Sequence, residues 1–177
     1  MILSPRVLLI GAAGTADFQE ASTLTAPAQN PVSIMPPERA RIIHAFGDEV
    51  RIHLGALETG GKYTLFTVVS PPGGGPPPHI HENEDEWFLV QEGRVEFFAG
   101  GVWSAVPIGT TVYVPKGTVH TYKNVGDSPL RMLVHLSSTG FETFYSRCAV
   151  EFAKSGPPDM ARIVQIAGEH GIRFVNG

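Results

Sequence analysis

The sequence predicts an all-β fold, a sandwich or barrel, on two observations. Short runs rich in β-branched and aromatic residues recur through most of the chain, at about the 8–12-residue spacing of such folds. Gly (20) and Pro (15) are abundant for 177 residues, and they fall between the runs as turns rather than in one flexible tract.

The first strands are expected at residues 41–46 (RIIHAF) and 50–57 (VRIHLGAL). The third, residues 62–70 (KYTLFTVVS), is the most β-prone of all. Residues 71–78 (PPGGGPPP) have to form a loop, because proline gives no amide to a ladder and glycine interrupts one. Strands resume at 86–91, turn at Gly93 into 94–98, and turn again at Gly100 and Gly101. Residues 102–107, 110–114, 119–124 and 130–136 follow, giving roughly nine to eleven strands. The period then changes: Phe141, Phe144, Tyr145, Cys148 and Phe152 recur at helical spacing, the pattern of a helix packed on the barrel. A second helix is expected after Pro157 and Pro158, with Asp159 in its first turn and Gly171 at its end.

Composition excludes several classes. Lys+Arg is 13 and Asp+Glu is 17, so no basic patch is available to displace phosphate counterions and no nucleic-acid partner is expected. No apolar stretch approaches a membrane span. The single Cys148 excludes an intramolecular disulfide and the multi-cysteine zinc motifs. Val7 to Ala13 is a weak signal-like run behind a lone Arg6; its shortness favours a cytoplasmic chain whose N-terminal arm, residues 1–37, packs on the domain or on a second copy. The GAAG at residues 11–14 lacks the glycine spacing of a dinucleotide loop.

The chemistry concentrates in His79-Ile-His81-Glu-Asn-Glu-Asp-Glu86. Two histidines at i and i+2 on a strand share a face, so both imidazoles can grip one ion while Ile80 points the other way. Glu86 opens the next strand, facing inward with Phe88 and Val90. A third imidazole, His120, comes from a distant strand that also carries Tyr122 and Asn124. Three histidines and a carboxylate make a mixed nitrogen and oxygen set suited to a divalent first-row ion (Fe, Mn, Co, Ni, Cu or Zn). Glu82, Glu84 and Asp85 read as a solvated charged loop, since one carboxylate suffices for an ion. His44, His53 and His135 read as ordinary half-buried strand histidines, and His170 as a helix-end residue. Cys148 reads as a small core residue. Phe88 and Tyr122, with Tyr63, Phe66 and Phe141 behind them, are candidates to line a substrate pocket.

The spacing of these residues is that of a known family. Gly73, His79, His81, Glu86 and Gly93 resemble the first cupin motif, and Gly109, Pro115, Gly117, His120 and Asn124 the second. The chain thus resembles a single-domain cupin, with the barrel at residues 38–140 and a helical extension at 141–177. The resemblance implies a jelly-roll barrel with a metal on His79, His81, Glu86 and His120, and a homodimer paired through apolar strand faces. The run ENEDEWFLVQEGRVEFFAGG and the tail from GFETFY to EHGIRF are similar to bacterial quercetin 2,3-dioxygenase-like cupins. That similarity implies cleavage of a flavonol or related enolic small molecule with dioxygen, Glu86 acting as base. Two alternatives stay open: an oxygen-independent isomerase or decarboxylase on the same metal, and a non-catalytic barrel that binds a small ligand.

Overall fold

A computed structural model describes residues 31–175. The N-terminal run at Val7 to Ala13, and most of the expected arm, lie outside the described residues. After a single 3-10 turn at Pro37–Arg39 come β1 (Arg41–Ala45), β2 (Asp48–Leu54), α1 (Ala56–Thr59), β3 (Thr64–Ser70) and β4 (His79–His81). Next are β5 (Glu86–Glu92), β6 (Val95–Ala99), β7 (Val102–Val106), β8 (Thr111–Val114), β9 (His120–Asn124) and β10 (Leu130–Leu136). The chain then runs through α2 (Phe141–Phe152), α3 (Met160–Glu169) and β11 (Ile172–Phe174).

The strands form two antiparallel sheets, one ordered β1-β2-β3-β10-β5-β8 and the other β11-β4-β9-β6-β7. Alternation decides which side chains face the interior. In β10, Leu130, Met132, Val134 and Leu136 are buried and the residues between them are not. In β5 the same rule sends Glu86, Phe88 and Val90 inward. α2 adds Phe144, Tyr145 and Cys148 to the core, and α3 adds Ile163, Ile166 and Ala167. Asp159 caps α3, its carboxylate accepting the Arg162 N–H at 3.0 Å. Among the described residues no helix is long and apolar enough to cross a membrane.

Three elements depart from the expected pattern, each for a local reason. The expected strand at 50–57 stops at Leu54. Glu58 accepts the Gly55 N–H at 2.9 Å and Thr59 donates to the Gly55 carbonyl at 2.8 Å, which winds the chain into α1. Strand β3 begins at Thr64 rather than 62 because Gly60 and Gly61 are left-handed (φ 65° and 80°). Helix α3 ends before left-handed Gly171, as expected, but the residues after it, expected within a helical extension, form β11 and pair Ile172 with His81 and Phe174 with His79.

The β1–β2 turn holds two residues, Phe46 and Gly47, both at positive φ (57° and 84°), as a type I′ hairpin requires. A phenylalanine there is sterically disfavoured. Its ring packs on Phe152, Tyr145 and Phe174 at centroid distances of 5.0, 5.7 and 5.8 Å, which offsets the cost. Gly75 has a different constraint: a Cβ there would sit 2.0 Å from the Tyr122 carbonyl oxygen, so the proline-rich loop can cross β9 only as glycine.

Glu142, buried at the start of α2, ties three elements together. It accepts hydrogen bonds from the Ala56 N–H (3.0 Å), the Thr64 hydroxyl (3.1 Å) and the Gly140 N–H (3.2 Å). Burial alone would raise its pKa, but these donors hold it below the ordinary carboxylate value. Glu142→Ala strands buried donors and is expected to cost about 2 kcal/mol at neutral pH by denaturant unfolding. Since the folded-state pKa is depressed, the ionic part of this contribution is full above the ordinary carboxylate value and is lost as pH falls below it through the folded-state value. The gap between wild type and variant should therefore narrow as pH falls below about 4.

Candidate metal centre

The two sheets bring four distant side chains together. His79 and His81 lie on β4, His120 is opposite His79 in the neighbouring strand β9, and Glu86 comes from the facing sheet, between Leu136 and Val114. One ligand-type atom from each residue lies within 4.8 Å of the others. His81, Glu86 and His120 are buried, at 3%, 4% and 1% exposure, and His79 is half-buried at the cavity edge.

The motif glycines shape this site. Gly117, left-handed at φ 80°, donates its N–H to the His81 carbonyl at 2.7 Å and so ties the second motif to the first. Asn124 works structurally: its amide donates to the Ser70 and Ser128 carbonyls, and its Oδ1 accepts the Gly126 N–H.

The hydrogen-bond pattern sets what the cluster can do. His79 Nδ1 lies 2.9 Å from the Pro77 carbonyl and His120 Nδ1 lies 3.0 Å from the Thr118 carbonyl. A carbonyl only accepts, so each Nδ1 carries the proton and each Nε2 presents a lone pair when the ring is neutral. Yet His120 Nε2 is 2.9 Å, and His81 Nε2 3.4 Å, from the same Glu86 oxygen. Lone pairs and a carboxylate at that separation repel unless a positive charge joins them. Neither His81 nitrogen has a hydrogen-bond partner, an unusual state for a buried polar group. A divalent first-row ion fits this donor set: three neutral imidazoles and one carboxylate converge, and no protein donor competes at Nε2.

Beside the cluster lies a narrow, mostly apolar cavity of about 50 Å³. Phe66, Phe88, Tyr122 and Phe141 all line it, as do Phe46, Phe144, Tyr145 and Phe174. Phe66 and Phe141 stack at 4.5 Å with their planes 14° apart. The helix α2 therefore packs on the barrel and walls the cavity with the same aromatic stripe. The Tyr122 hydroxyl donates to buried Asp48 at 2.7 Å, and the Ser70 hydroxyl donates to the same carboxylate. Burial raises the Asp48 pKa, and burial beside Asp48 pushes the Tyr122 hydroxyl well above the ordinary phenol value. Cys148 is fully buried and its thiol is pushed up to about 11 by that burial, so it stays an inert core residue.

Two expectations fail. Tyr63 does not line the cavity; it packs on His135 at 5.1 Å, and His135 stacks in turn on Trp87 at 5.2 Å. Glu84 is not part of a solvated loop: its side chain is only 11% exposed and faces His81 Nδ1 at 3.5 Å. Glu82 does keep to the surface, 55% exposed beside Arg173. No feature of the acidic run itself distinguishes Glu84 from its neighbours. His53 bonds Thr67, and His44 is exposed, both away from the centre.

The facing antiparallel sheets, with their histidine and carboxylate cluster between them, define a cupin jelly roll. Residues 66–136 match the family model for the cupin domain, and the chain carries a cupin domain there. It is 36% identical over 66 residues to "Probable oxidoreductase patJ" of Penicillium expansum, covering 37% of this chain and 20% of that protein. It is 31% identical over 74 residues to an uncharacterized protein of Methanocaldococcus jannaschii, covering 42% of this chain and 59% of that one. The matches thus span less than two thirds of these relatives. Among solved structures, KdgF from Halomonas sp. superposes with a TM-score of 0.55 at 17% identity, over 63% of this chain and 99% of that one. The polyketide cyclase RemF from Streptomyces resistomycificus gives 0.53 at 19%, over 60% and 79%. At such identities the likeness is one of fold.

The imidazoles of the centre should titrate apart in chelator-treated protein. Burial, then the neighbouring His120 and His81, hold the His79 pKa well below 6.5. Burial also pulls His81 down, but the Glu86 and Glu84 carboxylates outweigh it and hold its pKa above 6.5. As pH falls, NMR of the ring protons should show His81 charging first and His79 staying neutral.

Proposed function

We propose that this cupin is a metal-dependent dioxygenase of the quercetinase kind, cleaving a flat, largely apolar substrate that carries an enolic hydroxyl. The observation that carries the reading is the union of the three-histidine, one-carboxylate cluster with an aromatic cavity lined by no lysine or arginine among the described residues. A small dicarboxylate or a sugar phosphate would find no side-chain cation there, and any charge beyond reach of the ion would be buried at a cost of several kcal/mol. A flavonol-like ring system instead buries apolar area against Phe66, Phe88 and Phe141 and turns one oxygen toward the centre. The sequence likeness over 66 residues to a protein described as a probable oxidoreductase supports that reaction class.

In this reading His79, His81, Glu86 and His120 hold the divalent ion. When bound, that ion supplies Lewis acidity for the enolic oxygen and the electronic means to engage dioxygen. Glu86 accepts the hydroxyl proton, because its carboxylate lies at the cavity wall beside the point where the three rings converge. Asp48 fixes the Tyr122 ring through its hydroxyl, and the aromatic stripe of α2 keeps water from the reacting oxygen.

The metal-free chain should gain thermal stability on addition of its ion, by about 2.7 kcal/mol at a hundred times Kd. Replacing His79, His81 or His120 by alanine should remove that gain. Glu86→Gln should retain measurable metal binding but lower oxygen uptake with quercetin by roughly 10²–10⁴-fold. An oxygen electrode tests the reading: loaded wild type that consumes no oxygen with flavonols or enediols contradicts it. Turnover of an enolisable substrate without oxygen uptake would point to isomerase or decarboxylase chemistry instead.

A further inference from the structure

We propose that Glu84 is a positioning residue of the metal centre: its carboxylate takes the Nδ1 hydrogen of His81, aims Nε2 at the ion and adds a second negative charge to the site. This rests on the metal reading above. The other two rings are aimed by backbone carbonyls two residues upstream, Pro77 for His79 and Thr118 for His120. His81 has no such partner. Its own carbonyl is engaged by Gly117, and the polar atom opposite its Nδ1 is Glu84 Oε2 at 3.5 Å. That oxygen has no hydrogen-bond partner of its own, so the two atoms are complementary orphans.

Glu84 is held for this task rather than left to swing into water. Its Oε1 accepts the Ser138 hydroxyl at 2.9 Å, and its side chain is 11% exposed. On the far side it meets a polar recess shared with Asn83, Thr139 and His170, which lets a carboxylate remain charged at that depth. A carboxylate on Nδ1 differs from a carbonyl by a full charge: it strengthens the imidazole as a donor and balances the ion. A centre built from Glu86 and Glu84 carries two negative charges against a divalent cation.

The test is Co²⁺ binding to the chelator-treated full chain, read by calorimetry and by the visible spectrum of the bound ion. Glu84→Ala is expected to weaken Co²⁺ binding by about 10–100-fold and to shift the absorption bands. Glu84→Gln should lose less, since an amide oxygen still accepts from Nδ1, and Ser138→Ala should move in the same direction. At a pH high enough to leave His81 neutral, metal-free melting of Glu84→Gln should match wild type. Should Glu84→Ala fail to fold, Glu84→Gln decides alone: several-fold weaker binding at unchanged metal-free melting supports the role. Wild-type affinity and spectrum in the variants overturns it. So does a loss of affinity matched by an equal loss of metal-free stability. A wild-type chain that binds no Co²⁺ overturns the metal centre and the role of Glu84 together.

Discussion

Three imidazoles converge on one carboxylate, and much of the architecture serves that arrangement. Two Nδ1 hydrogens are spent on carbonyls outside the cluster, so the Nε2 lone pairs have nowhere to turn but inward. In an interior of low effective dielectric this convergence is unfavourable until positive charge enters. The packing around it resists relaxation: His120 is 1% exposed and Glu86 4%. Repulsion that movement cannot relieve favours a cation at this point.

The fold supplies the rigidity. Each sheet contributes part of the set, with the histidines from β4 and β9 and the carboxylate from β5. Strand β11, only three residues long, pairs along β4 and leaves the histidine strand covered on both sides. The same C-terminal segment brings Ile172 and Phe174 to the cavity, so the tail shapes both the metal strand and the pocket beside it. Helix α2 does comparable double service, burying Cys148 in the core while Phe141 and Tyr145 wall the cavity.

The legible part of this design was local. Alternation in β5 placed Glu86, Phe88 and Val90 on one face, and the i, i+2 histidines shared another, because a strand has a fixed period of two. The stripe from Phe141 to Phe152 gave α2 by the same kind of logic with a period near 3.6. What escaped depends on contacts distant in sequence. Glu84 sits in a run of polar residues that all look solvated, and only Ser138, 54 residues away, and the packing of β4 bury it. Tyr63 precedes β3 and packs outside the barrel with His135, a partner set by the register of β10 on β3. β11 is too short to show a period at all, and its pairing with β4 is purely tertiary.

An ion held by His79, His81, Glu86 and His120 would have three imidazole nitrogens and one carboxylate oxygen around it. X-ray absorption on the reconstituted chain measures this directly, at one equivalent of ion. The expected result is a first shell of nitrogen and oxygen at about 2.0–2.2 Å, with outer-shell scattering from three imidazole rings. A first shell without imidazole scattering, or no ion retained at all, would contradict it.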